Sequence, residues 1–194
     1  MAAAARNRLV EAAREIQEFC EQKRWRFCFI GGIAVQHWGE ARLTRDADLT
    51  VFTGLSDEAT YIDALLERFA PRIGDARDFA LRHRVLLLRA ANGVPLDVSL
   101  GALDFERQAV DTASLEEIVP DQRLRLASPG SLAVFKTFAG RPQDWLDLEG
   151  IIVKSGARID WRTVDAQLRA LLELKGDASA LQRLAELRER LATS

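Results

Sequence analysis

A short apolar run, Arg26 to Ile30, ends on Gly31-Gly32, and a second one, Ala47 to Thr53, begins inside Asp46-Ala47-Asp48. Both runs have the length of a buried strand and are too short for a buried helix. Between them, Ile33 to Trp38 has the length and spacing of one short helix, with Gly39 as its expected C-terminal cap. The spacing therefore predicts strand, Gly-Gly turn, helix, strand, with two acids at the mouth of the second strand.

Asp46 and Asp48 stand two residues apart, so on an extended strand their side chains leave the same face. Two carboxylates so close repel each other unless a cation lies between them. A hard divalent cation such as Mg2+ suits such a pair, with phosphate oxygens completing its shell. Asp97, in the otherwise apolar run VPLDVSLG, is a third candidate, because an acid there costs stability unless something pairs it. If its strand lies beside that of Asp48, three carboxylates could hold two metal ions about 4 Å apart. The plainer alternative is that Asp46 and Asp48 decorate a solvated strand entrance. An EF-hand loop is excluded, because Thr50 and Val51 fill positions that require a ligand and a glycine.

A strand that ends in Gly-Gly and opens a helix lets backbone N–H groups approach a phosphate, and the helix N-terminus favours the anion. Gly-Gly can equally be a tight turn and nothing more. Neither a P-loop nor a dinucleotide-binding glycine fingerprint is present.

Elsewhere the pattern predicts a first helix over Ala3 to Gln22, with Leu9, Ala13, Ile16 and Cys20 forming one stripe. A helix over Asp57 to Phe69, capped by Ser56 or Asp57, leads to a loop marked by Pro71 and Gly74. Asn92-Gly93 between His83–Ala90 and Val94–Leu100 is a hairpin signal. Leu103–Val110 and Ser114–Ile118 read as helical or irregular, and Gln122–Leu126 as a last strand. Ser128-Pro129 places a capping hydroxyl before a proline at the first helical position. Helices are expected over Gly130–Phe138, Pro142–Lys154, Trp161–Leu174 and Ala178–Leu191. The expected fold is mixed α/β (α+β): residues 1–127 form an α/β domain and residues 128–194 a helical lobe.

A chain of 194 residues with 48% apolar and 29% charged residues is ordinary globular material. A net charge of −2 gives no global basic field for nucleic acid. No run approaches the roughly 20 apolar residues of a membrane span, and the N-terminal stretch lacks a signal-peptide core. Cys20 and Cys28 form no metal or redox motif and read as buried, reduced thiols. The expected location is the cytoplasm, with no membrane partner.

GGIAVQHWGEARLTRDADLTVF, followed by Asp97, resembles the nucleotidyltransferase superfamily with the polymerase-β-type fold. Arg42, Thr44, Asp46 and Asp48, as R-x-T-x-D-x-D, are similar to the branch containing the AbiEii-type toxins and minimal nucleotidyltransferases. A weaker match covers SLAVFKTFAGRPQDWLDLEGI, where Lys136, Arg141, Asp144 and Asp147 occupy that branch's places. The resemblance implies transfer of a nucleoside monophosphate from a nucleoside triphosphate to a hydroxyl, with release of pyrophosphate. It implies that Asp46, Asp48 and Asp97 hold two Mg2+ ions, or Mn2+, and that Asp97 also serves as base. Gly31, Gly32, Arg42, Thr44, Lys136, Arg141 and Asp144 would bind the nucleotide. The acceptor is open between tRNA, a protein and a small molecule, and a cognate antitoxin or toxin is an implied partner.

Several of these residues carry a second reading. Lys136 follows a core-like apolar run and could snorkel from it. Arg141 could cap the preceding helix, and Asp144 and Asp147 could pair with Arg141 or a lysine. Arg42 and Arg45 could contact phosphate or balance the aspartates. His37, His83 and the four tryptophans read as packing residues. At the level of function, the alternative to an enzyme is a non-catalytic binding or antitoxin component of the same fold; the three acids disfavour it.

Overall fold

The computed structural model describes residues 2–177 and 179–193, with side chains from residue 7 onward. The residues group into two units, Met1–Ile33 with Leu43–Ala127, and Ala34–Arg42 with Ser128–Ser194.

The first unit is built on a sheet of β1 (Phe27–Phe29), β2 (Ala47–Phe52), β3 (Ala70–Pro71), β4 (Val85–Arg89), β5 (Pro95–Gly101), β6 (Ser114–Val119) and β7 (Gln122–Leu126). Among the described residues these seven strands form one mixed sheet in the order β3-β4-β5-β2-β1-β7-β6. β2 runs parallel to β5 and antiparallel to β1, and β1 runs parallel to β7. The alternation in β2 and β5 sorts their side chains. Ala47, Leu49 and Val51, with Leu96, Val98 and Leu100, are buried, while Asp48 and Asp97 leave the opposite, half-exposed face. Each fully buried aliphatic side chain contributes up to about 1.5–3 kcal/mol, so a one-residue slip would forfeit several at once. α1 (Ala2–Gln22) packs on β2 and β7 through the stripe that holds Leu9, Ala13, Ile16 and Cys20. α3 (Glu58–Arg68), α4 (Ala76–His83) and α5 (Asp104–Asp111) complete the unit.

α2 (Gly31–Trp38) crosses the division between the units. In the second unit it is followed by α6 (Pro129–Ala139), α7 (Pro142–Ser155), α8 (Trp161–Lys175) and α9 (Ser179–Ala192). Ser128 caps α6 by accepting a hydrogen bond from the Ser131 N–H at 3.1 Å, with Pro129 in the first turn. The expected start of the last helix, Ala178, lies outside the described residues.

Several local expectations are corrected. Gly31 and Gly32 are the first turn of α2, not a turn ahead of it. The segment before the hairpin begins with α4, and β4 starts at Val85; α4 buries only Ala76 and Ala80, small side chains that give a weak periodic signal. Ala70-Pro71 is a two-residue edge strand, where proline's missing donor costs nothing. Ser114–Val119 is the opposite edge strand, mostly exposed, whose acidic residues disguise it; pairing with β7 makes it extended. Gly39 ends α2 without a left-handed backbone. It is small because a Cβ there would lie 3.0 Å from the Ile151 amide nitrogen, and one on Gly150 would lie 3.0 Å from that of Glu40. This close approach lets α7 satisfy the carbonyls that end α2. Ser155 Oγ donates to Trp38 O at 2.6 Å and Lys154 Nζ to His37 O at 2.8 Å.

Candidate active site

Parallel pairing of β2 with β5 sets Asp48 directly beside Asp97. Asp46 stands one residue ahead of β2. One carboxylate oxygen from each of Asp46, Asp48 and Asp97 lies within 4.8 Å of the others, and all three residues are half-buried. Burial pushes the Asp97 carboxyl above the ordinary carboxylate range; the Arg72 guanidinium opposes this and the charge of Asp46 adds to it. Three oxygen donors at this spacing fit a hard divalent cation, which would relieve the repulsion that the fold imposes on them.

The glycines meet the acids directly. Ile30 N–H donates to Asp48 O at 2.9 Å, which carries the β1–β2 pairing one residue past β1. Gly31, next in the chain, has φ of 59° and no room for a side chain: a Cβ there would lie 2.0 Å from Asp48 Oδ2. A Cβ on Gly32 would lie 2.2 Å from Thr44 Oγ1. Gly32 N–H points at Asp48 Oδ2, 3.4 Å away, so the carboxylate sits at the positive end of α2. Thr44 Oγ1 donates to Asp46 Oδ1 at 3.0 Å. The Gly-Gly pair is thus explained first by close packing around Asp48 and Thr44.

Arg72, just beyond β3, donates from Nη2 to Asp97 Oδ1. Nothing in the sequence marked it. It lies in a loop segment, and only the sheet order brings it near the acids.

The remaining residues of the sequence reading meet in the second unit. Lys136 is buried in α6, and its Nζ donates to Asp144 Oδ1 at 2.9 Å and Asp147 Oδ2 at 2.7 Å on α7. It does not snorkel to solvent. Arg42 binds Asp147 through two parallel hydrogen bonds, Nε to Oδ1 at 2.8 Å and Nη2 to Oδ2 at 3.1 Å. Arg141 does not close α6; it precedes α7, and Asp144 Oδ2 accepts from its backbone N–H at 3.1 Å and its Nε at 2.8 Å. Burial pushes both aspartates up. Hydrogen bonds from Arg141 and Lys136 to Asp144, and from Arg42, Lys136 and Gln143 to Asp147, outweigh it and hold both carboxyls below the usual range.

No family model matches the chain, and no curated protein is similar to it in sequence. Solved structures are similar in shape. The crystal structure of an antigenic nucleotidyltransferase-like protein from Paracoccidioides brasiliensis matches with a TM-score of 0.50 and 18% identity, over 90% of this chain and 92% of that one. The fold is of the nucleotidyltransferase type. Two further structures lie just below that likeness. The antibiotic-resistance factor ANT(2'')-Ia has a TM-score of 0.49 at 17% identity, over 100% of this chain and 96% of that one. The lincosamide antibiotic adenylyltransferase LnuA, lincomycin-bound, has 0.49 at 15%, over 73% and 94%.

Within this nucleotidyltransferase-type fold the cysteines and tryptophans are packing residues. Cys20 and Cys28 are free and buried; burial pushes the Cys20 thiol up to about 12 and Cys28 upward too, so neither is a nucleophile. Trp25 packs between Phe19 and Tyr61, and Trp38 and Trp145 are buried. Arg188 covers the Trp161 ring. His37 stands edge-on to Trp38, and His83 against Phe79. Arg45 is exposed. Among the described residues no helix is long and apolar enough to cross a membrane.

Proposed function

We propose that this chain is a Mg2+-dependent nucleotidyltransferase that moves a nucleoside monophosphate from a nucleoside triphosphate to a hydroxyl acceptor. The observation that carries the reading is the meeting of Asp46, Asp48 and Asp97 within 4.8 Å, the last two paired on adjacent strands of a nucleotidyltransferase-type fold. The bond formed joins the acceptor oxygen to the α-phosphorus; the bond broken releases pyrophosphate. Two bound Mg2+ ions, or Mn2+, would neutralise the triphosphate and acidify the attacking hydroxyl. Asp46, just ahead of β2, Asp48 on β2 and Asp97 on β5 would hold the metal. Asp97 Oδ2, the oxygen not bonded to Arg72, accepts the hydroxyl proton; its burial makes it the stronger base. Gly31 and Gly32 leave room at the start of α2 for Asp48 and Thr44, and the triphosphate would approach this helix N-terminus, where the Gly32 N–H already faces the Asp48 carboxylate. Thr44 orients Asp46 through its 3.0 Å hydrogen bond. Most of the rate enhancement comes from positioning and charge neutralisation.

For Lys136, Arg42, Arg141, Asp144 and Asp147 the geometry favours a structural role. They join α6 to α7 and tie down the segment ending at Arg42. The R-x-T-x-D-x-D run supports a place near the AbiEii-type branch, and with it a cognate antitoxin or toxin as partner. The acceptor within the hydroxyl class is tRNA, a protein or a small molecule. Incubation with each α-labelled nucleoside triphosphate, Mg2+ and a cell extract, followed by identification of the labelled species, tests the reading. Absence of label transfer from all four would count against it.

A further inference from the structure

We propose that Arg72 couples triphosphate binding to metal binding at this site, as a contact for the polyphosphate and an electrostatic competitor of the metal. The inference rests on Asp46, Asp48 and Asp97 being metal ligands.

Four residues form one row across the sheet. The Arg72 N–H donates to Leu87 O at 2.9 Å, which continues the β3–β4 pairing one residue past Pro71. Leu87 pairs with Asp97, and Asp97 pairs with Asp48. Residues paired in a row present their side chains on one face, and neighbouring strands lie about 4.8 Å apart. Arg72 therefore starts about two strand spacings from Asp97, and its long side chain spans Leu87 to reach the carboxylate.

Its contact there is incomplete. One terminal nitrogen, Nη2, bonds one oxygen, Oδ1, while Nε is buried without a hydrogen-bond partner. In the second unit Arg42 grips Asp147 through both Nε and Nη2. An arginine whose task was only to neutralise Asp97 would gain by the same two-point grip, since a buried donor left unmade is costly. Arg72 instead engages the carboxylate through Nη2 alone, and a guanidinium matches phosphate oxygens as well as carboxylate. Its side chain is 21% exposed, so the group is reachable.

A divalent cation held by Asp97 would lie close to this fixed positive charge. Without nucleotide the two cations repel each other across a shared carboxylate. With a triphosphate present, its oxygens satisfy both. Arg72 thus makes the metal site weak when empty of nucleotide and strong when nucleotide arrives.

The test compares wild type, Arg72→Gln and Arg72→Lys as full chains, with folding checked by circular dichroism. Mn2+ affinity without nucleotide is read from the electron paramagnetic resonance of free Mn2+. Affinity for α,β-methylene-ATP is measured at saturating Mn2+. Arg72→Gln is expected to bind Mn2+ on the order of tenfold more tightly, because a unit charge near a divalent ion is removed. The same variant is expected to bind the analogue about tenfold more weakly, having lost a charge-assisted contact. Arg72→Lys keeps the charge and is expected to stay near wild type in Mn2+ affinity. Weaker Mn2+ binding in Arg72→Gln would show that Arg72 only holds Asp97 in place, and overturns the inference. A change in one affinity without the opposite change in the other overturns it too. If wild type binds neither Mn2+ nor the analogue, the nucleotidyltransferase reading fails and this inference falls with it. If wild type binds both and Arg72→Gln alters neither, only this inference fails.

Discussion

Gly31 and Asp48 fit together only because one of them has no side chain: a Cβ on Gly31 would lie 2.0 Å from Asp48 Oδ2 and 2.7 Å from its Cβ. The positive φ of Gly31 adds a backbone cost for any other residue. Gly31→Ala is therefore predicted to lose about 1–3 kcal/mol from backbone strain alone. It should also push Asp48 out of the cluster and weaken Mn2+ binding. Urea unfolding and a Mn2+ titration check both effects, and wild-type values in each would mean that the two residues can move apart freely.

Asp48→Ala removes one of three carboxylates held within 4.8 Å. Turnover of nucleoside triphosphate is predicted to fall by at least about 10²-fold, the scale of losing one group that stabilises transition-state charge. Thermal stability should be unchanged or raised, because like-charge repulsion is relieved. Unaltered turnover would sink the assignment of the site.

Lys136 sits between Asp144 and Asp147, whose side chains are each 2% exposed. Lys136→Met is predicted to destabilise the protein by about 3–5 kcal/mol, since it leaves buried carboxylates short of a partner. A lysine whose task was to meet phosphate would instead leave the melting temperature of the nucleotide-free protein nearly constant. Differential scanning calorimetry without nucleotide separates the two.

The same network predicts a pH dependence. Asp144 and Asp147 have folded pKa values below those of the unfolded chain. Their contribution is fully present above the unfolded carboxylate range, near pH ~4, and is lost as pH falls through the lower folded values. The network's share of stability should stay flat from pH 7 to about 5 and fall below about 4. Asp147→Asn should flatten that acid limb. An equally steep loss in the variant would place the acid sensitivity elsewhere.

Much of the local structure was legible because it follows short-range rules. The Ser128-Pro129 start of α6 and the Asn92-Gly93 hairpin each depend on a few adjacent residues. α4 and β6 were not legible. α4 buries only two alanines, and β6 is an acidic, exposed edge made extended by β7. At the site, Asp46 and Asp48 could be read as sharing a face, since strand alternation is local. Asp97 could be read as costly in an apolar run. Arg72 had no signal at all.

Sequence alone determined the period-two faces of β2 and β5, the bare start of α2, and which residues carry acid on those faces. These follow from backbone sterics and the spacing of a few neighbours. Only the tertiary structure decided that Asp48 pairs with Asp97, that Arg72 reaches across Leu87, and that Lys136 is enclosed by two aspartates. Those are pairings between segments far apart in the chain. Their register is chosen by burial of whole strand and helix faces, and no local pattern contains that choice.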